Sequence, residues 1–359
     1  MTGPLPPTSP TRERIGVLTF HRCINYGSYW QARCLVEGLR GLGYDAVLMD
    51  HRSRSIDRAE WRCALAPVWG AENPREEYRR KTRAFLEAFE ELPQTAPFPL
   101  ERPEEAESFG QVVVGSDEVW NLRHPWYGGR EMFYGKGLET RLASYAASFG
   151  NQNAAEGLSE DWAELLRGFS ALAVRDQNSR RIVAEALDEE PELVLDPCLQ
   201  FADRIPAGDD ADEGGYVALY GHSFPHWFSR AVREWADRRG LELLSFGYRN
   251  EWAHREWLDA GPEAFPGFIR GASAVVTNFF HGCVFSLVKE RPFVCAPSDY
   301  RNNKVRDLLD LLGASERLVG EDRLTGLDDL LSRPAGTATY SRIEQLRGTS
   351  SRYLDHALQ

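Results

Sequence analysis

Short apolar runs, each followed by a segment with apolar residues at helical spacing, recur along this chain. That alternation constrains the fold more than any other feature. Apolar runs of this kind suit strands buried on both faces, and alternating them with helices builds a parallel sheet. RIGVLTF (14 to 20) reads as the first such strand. HRCINYG follows as a loop, and then Leu35, Leu39 and Leu42 fall at helical spacing, with Gly41 and Gly43 as stop signals. YDAVLMDHR (44 to 52) reads as the second strand. FGQVVVGSDEVWN (109 to 121), RLASYAASFG (141 to 150), ALAVRDQNSRRIVAEAL and ELVLDPC continue the series. Residues 55 to 100 depart from it. They are rich in Arg, Glu and Trp, and NPREEYRRKTRAFLEAFEELP reads as a helix with an Asn-Pro start, so this stretch is a helical insertion.

The series breaks at DRIPAGDDADEGG (203 to 215), an acidic stretch with Pro and Gly that reads as a linker. Beyond it the alternation restarts with YVALYGH, a helix near 225 to 238, LELLSFGY, a short helix near 262 to 271, SAVVTNF, a helix from 281, and PFVCAPS. Val305, Leu308, Leu309 and Leu312 then mark another helix. The expected class is α/β, with two Rossmann-like domains facing a cleft. The boundaries expected are a disordered tail over 1–13, a first domain over 14–205, a second over 206–338, and a last helix over 339–359 packing back on the first domain. Ligands of such sheets collect outside the carboxyl ends of the strands.

Composition narrows the function classes. A net charge of −12 excludes a broad nucleic-acid surface. No run of 18 apolar residues exists to span a membrane, and the Pro/Thr-rich start has no apolar core of a signal peptide. Cys23, Cys34, Cys63, Cys198, Cys283 and Cys295 form no CxxC pair, so they read as reduced thiols of a cytoplasmic protein. No dense carboxylate or histidine cluster calls for a metal.

Three strand exits carry more polar residues than a turn needs. The first holds Asn25, Tyr26, Gly27 and Ser28: a close approach for a ligand, or an ordinary Asx turn that caps a helix. The second holds Gly115, Ser116 and Asp117, where Asp117 either orients or deprotonates a hydroxyl, or serves as an N-cap. The third is VVTNFFHGCVFSLVKERPFV (275 to 294). There Asn278 ends a strand and His281-Gly282 opens a helix whose dipole favours an anion. The plain alternative is a core histidine among Phe279, Phe280 and Phe285. Cations for an anionic ligand are offered by Arg175 at the end of ALAVRD, and by Arg301 and Lys304 beside Asn302 and Asn303 in SDYRNNKVRD. His21, His222 and His226 also sit near strand exits and read as structural. Neither a GxxxxGK[ST] loop nor a GxSxG elbow is present.

Taken together, GVLTFHRCINYGSYWQA, VVVGSDEVWN, ASYAASFGN, LAVRDQNS, LVLDPCL, ASAVVTNFFHGCVFSLVKERPFV and NNKVRDLLDLLG resemble, in order and spacing, the polysaccharide pyruvyl transferase family over residues 14 to 313. The resemblance implies a glycosyltransferase-B-like pair of domains, phosphoenolpyruvate as donor and no further cofactor. It also implies a sugar hydroxyl acceptor. Homo-oligomerisation stays open. The family's Ser-Phe-His-Gly-Thr block matches Phe279 to Cys283, with Phe279 and Cys283 in place of the usual hydroxyl residues. Those losses suggest a small-molecule acceptor rather than a polysaccharide. Protonation of C3 of the donor and addition of a hydroxyl at C2 demand an acid, a base and cations. On this resemblance His281 is the proton donor or phosphate ligand, Arg175 the anion clamp with Lys304 second, and Asp117 the partner of the acceptor hydroxyl. Asn25, Tyr26, Gly27, Ser116, Asn278, Gly282, Arg301 and Asn303 would complete the pocket. A nucleotide-sugar glycosyltransferase and a non-catalytic binding member remain as alternative classes.

Overall fold

The computed structural model describes residues 13–67, 74–207, 215–296 and 302–359. Most of the tail 1–13 and of the linker 203–215 lies outside the described residues. In the first sheet, the strand Ile15–Leu18 is flanked by Ala46–Leu48 and Gln111–Val114, and Arg141–Ser144 pairs beyond the latter. Single bridges from Ala143 and Ala147 lead on to Ala173–Val174, which pairs with Glu192–Leu193. The second sheet runs Arg255–Trp257, Glu242–Phe246, Tyr216–Tyr220, Ala274–Thr277, Phe293–Cys295. Every ladder in both sheets is parallel, as continuous apolar runs covered on both faces require.

The single strand expected over 44–52 is split. Ala46–Leu48 stays in the sheet, while His51–Arg52 turns out to pair with Phe98–Pro99. Polar side chains cause the break. Asp50 accepts from His21 and Arg52, and His51 Nε2 lies 2.9 Å from the Thr19 carbonyl, so both leave the apolar ladder to find partners. The inserted residues fold as two packed helices, Arg54–Leu65 and Arg75–Glu90.

The seam between the two sheets is built by the first helix, Tyr26–Gly41, and the second inserted helix. Tyr26 Oη donates to the Ala260 carbonyl at 2.7 Å and Trp30 Nε1 to the Pro262 carbonyl at 2.9 Å. The Tyr26 ring packs against Phe85, Phe246 and Phe265. Arg80 pairs with Asp259, and the Arg249 amide donates to Tyr78 Oη. One apolar cluster therefore runs from Val17 and Leu35 through Trp30 to Phe265 and Phe285. The last helix, Thr337–Ala357, lies on the first sheet. Tyr353 Oη donates to the Ser144 carbonyl, and the Leu195 amide donates to Ser350 Oγ.

Trp30 is fully buried in this seam. Trp30→Ala is expected to lower the unfolding free energy by about 3–5 kcal/mol, through lost transfer energy and an unfilled cavity. A denaturant titration that moves by less than about 1 kcal/mol would show that the seam contributes little to stability.

Candidate active site

The three strand exits converge on one cleft between the sheets, and each element shapes it locally. Asn25 caps the first helix: its Oδ1 accepts from the amides of Gly27 at 2.9 Å and Ser28 at 3.2 Å. Asn25 and Ser28 line the cleft cavity, whereas Tyr26 turns into the seam and away from it. Gly27 serves a neighbour. A Cβ there would sit 2.0 Å from His281 Nδ1, so the missing side chain gives the imidazole its seat. Tyr26 and Gly27 are thus second-layer residues, a correction to the expectation that both line the pocket.

Arg175 is the larger correction. Expected as an anion clamp, it is buried beneath the cleft and does not line the cavity. Its guanidinium donates to Asp196 Oδ2 at 2.9 Å, to Asp117 Oδ1 at 3.0 Å and to Ser116 Oγ at 3.4 Å, and it lies 4.6 Å from the Phe280 ring. Two carboxylates already neutralise it. Ser116 is likewise buried below the cavity wall. Asp117 reaches the wall with its oxygens occupied: Oδ2 accepts from Ser28 Oγ at 2.8 Å and Oδ1 from Arg175 and the Glu118 amide. Burial by itself would raise the Asp117 carboxyl. The Arg175 cation, then His281 and Lys304, outweigh burial and hold it well below the usual carboxylate range. Such a carboxylate can orient a hydroxyl but is a weak base for it.

His281 lies in the first turn of the helix Phe280–Val288, which follows the strand Ala274–Thr277. Phe279 precedes that helix, and no side chain caps its first amides. The phenylalanine in place of a hydroxyl residue therefore leaves the helix start bare. The imidazole lines the cavity, with Nε2 3.5 Å from Asp196 Oδ2. Burial favours a neutral Asp196, but His281 and Arg175 lower it on balance, so it stays ionised behind the ring. Gly282 does not meet the cavity: a Cβ there would lie 2.0 Å from Thr277 Oγ1, so it is a packing glycine. Asn278 is buried beside it and donates to the His222 carbonyl at 2.8 Å.

Lys304 and Glu118 close another wall as a half-buried ion pair. Asn303 is exposed in the first turn of the helix Asn302–Leu311, and Arg301 lies outside the described residues. Asp196, Cys198 and His281 each place one ligand atom within 4.8 Å of the others. A dication there would meet Arg175 on the same Asp196 oxygen, and burial keeps the Cys198 thiol protonated. This grouping fits a hydrogen-bond network better than a metal site.

The cavity has a volume of about 270 Å³ and includes residues that sequence patterns missed. The inserted helices contribute Glu60 and Lys81, which no sequence pattern singled out within the charged insertion. Glu60 accepts from the Ile24 amide at 3.3 Å and Trp126 Nε1 at 2.8 Å, and burial raises its carboxyl. Phe20 and Trp126 from the first domain face Tyr248 and Phe279 from the second. No periodicity marks these positions, because they meet only through the seam.

A family model described as polysaccharide pyruvyl transferase matches residues 25–300. No curated protein sequence matches the chain. Among solved structures, the UDP-GlcNAc 2-epimerase of Methanocaldococcus jannaschii is similar at 12% identity and TM-score 0.52, over 94% of this chain and 99% of that one. AviGT4, a glycosyltransferase involved in avilamycin A biosynthesis, shows 13% identity and TM-score 0.48, over 96% and 97%. At 12% identity the likeness to the epimerase concerns the fold alone.

Two outcomes follow from this geometry. Gly27→Ala should displace the His281 ring and weaken ligand binding by about ten-fold or more, as the loss of one positioned polar contact does. Unchanged binding in calorimetry would show that the ring has room to move. Asp117 and Asp196 titrate lower in the folded chain, so the stability they add is present above the unfolded value of 3.8 and is lost as pH falls below it through the lower folded values. Arg175→Met leaves two buried carboxylates uncompensated and should cost about 3–5 kcal/mol at neutral pH. That deficit should shrink as pH falls from 7 to 3, because the unpaired carboxyls then gain protons. Parallel denaturation curves at both pH values check it: a constant deficit would remove the ionic role of Arg175.

Proposed function

The chain belongs to the polysaccharide pyruvyl transferase family, and on that premise we propose that it moves a pyruvyl group from phosphoenolpyruvate to hydroxyl groups of a sugar or sugar-containing small molecule, with release of phosphate. One observation supports this reading above the others. His281, a residue able to give and take a proton, stands on the cavity wall at a bare helix start, where amides and dipole favour an anion.

The chemistry assigns the rest. The donor's anionic groups lie towards the start of the helix Phe280–Val288. His281 delivers a proton to C3 while an acceptor oxygen bonds to C2, which becomes a tetrahedral carbon. The C2–O bond to phosphate then breaks, the phosphate leaving with the proton of the first hydroxyl, and a second hydroxyl adds to form a ketal, returning its proton to the His281 imidazole. Asp196 orients the imidazole, and Arg175 holds Asp196 and Asp117 in place. Asp117, with its suppressed basicity, orients the first hydroxyl rather than deprotonating it. The aromatic walls formed by Phe20, Trp126 and Tyr248 suit the apolar face of a ring, consistent with a small acceptor enclosed in the cleft.

Titration with phosphoenolpyruvate beside a panel of nucleotide sugars tests the donor. Saturable binding of phosphoenolpyruvate alone, weakened by His281→Ala, is the expected result. With an acceptor present, His281→Ala should cut phosphate release by about 10²–10⁴-fold, the usual worth of a general acid, with an unchanged circular dichroism spectrum. A folded His281→Ala protein with full turnover, or one that binds only nucleotide sugars, would overturn the assignment.

A further inference from the structure

We propose that Lys81 is the anion-receiving group of this cavity, and that an anionic substrate is bound together with a proton taken up by Lys81. The choice of phosphoenolpyruvate as probe rests on the reading above; the role of Lys81 does not.

Among the described residues, the two other cations expected at the site are already matched. Arg175 lies between Asp117 and Asp196, and Lys304 is paired with Glu118. Lys81 differs. It projects from the helix Arg75–Glu90 and lines the cavity while being only 2% exposed. Its Nζ donates to the Gly247 carbonyl of the opposite domain at 2.8 Å, and it lies 4.8 Å from the Tyr26 ring and 4.3 Å from the Tyr248 ring. Among the described residues, no carboxylate pairs with it. A buried ammonium with one carbonyl and two π faces lacks a counter-charge, and burying it so is costly. Two of its three donors are left for a ligand.

Among the described residues, none of the titratable groups around Lys81 forms an ion pair with it. Cys63 and Glu60 line the same cavity from the helix Arg54–Leu65, Tyr26 and Tyr248 turn their rings to Lys81, and Tyr78 lies one turn before it on its own helix. Burial raises Cys63, Tyr26 and Tyr78, each towards its neutral form, and the Glu60 oxygens are taken by the Ile24 amide and the Trp126 indole. Burial lowers Lys81 to about 7, opposed only by the Cys63 thiol. In the free protein above that pH the amine is mostly neutral. A carboxylate or phosphate entering the cavity would restore the ammonium and draw one proton from solvent.

Calorimetry at pH 8.5, in two buffers of different ionisation enthalpy, measures that proton directly. The probes are phosphoenolpyruvate, inorganic phosphate and uridine diphosphate, titrated into wild type, Lys81→Met and His281→Ala. Wild type should take up close to one proton per anion bound. Lys81→Met should take up none and bind about 10- to 100-fold more weakly, the loss of a charge-assisted contact. Should Lys81→Met fail to fold, the wild-type proton count decides by itself. Phosphoenolpyruvate bound equally well by Lys81→Met but not by His281→Ala would overturn the role of Lys81 and leave the donor standing. Proton-coupled binding of uridine diphosphate alone, removed in Lys81→Met, would keep Lys81 and overturn the donor. Anion binding without proton uptake, or no binding of any probe, would overturn the proposal.

Discussion

A single guanidinium, that of Arg175, holds the cleft in register. It joins two strand exits of the first domain through Asp117 and Asp196, and through Asp196 it reaches the imidazole that the second domain contributes. Burying these charges is unfavourable unless every partner is in place. The arrangement therefore tolerates little movement of the elements that carry it. The suppressed basicity of Asp117 depends first on that cation, while the ionised state of Asp196 depends on His281 and on it together.

The second requirement is the seam. A cleft between two domains is a useful reaction vessel only when its walls keep a fixed distance. Here the first helix and the second inserted helix place aromatic rings between the sheets, with the Tyr26 hydroxyl and the Trp30 indole N–H bound to carbonyls across the seam, so apolar burial fixes the spacing. The second inserted helix also brings Lys81 to the cavity, and the first inserted helix brings Glu60. Packing and chemistry are thus carried by the same segments: the helix that anchors the domains to each other also presents a buried lysine.

Much of this was legible in the residues. RIGVLTF, VVVGSD and SAVVTN gave their strands away because a parallel strand buried on both faces must be continuously apolar. Asn25 was legible as a cap and His281 as a helix-start residue. The strand at 44–52 misled, since Asp50 and His51 answer to partners far away in sequence. Arg175 misled more. At a strand exit an arginine points towards the ligand side, and nothing local says that two aspartates, 58 and 21 residues away, will claim it first.

The sequence by itself determined the alternation of strands and helices, the family, and which strand exits would be polar, because periodicity and local turn chemistry are properties of neighbouring residues. Only the tertiary structure decided which charges are free to act. Whether a cation meets substrate or a carboxylate depends on groups brought together by long-range packing, in a medium where burial shifts protonation. That is why Arg175 becomes a support and Lys81, inconspicuous in a charged helix, faces the cavity with no carboxylate paired to it among the described residues.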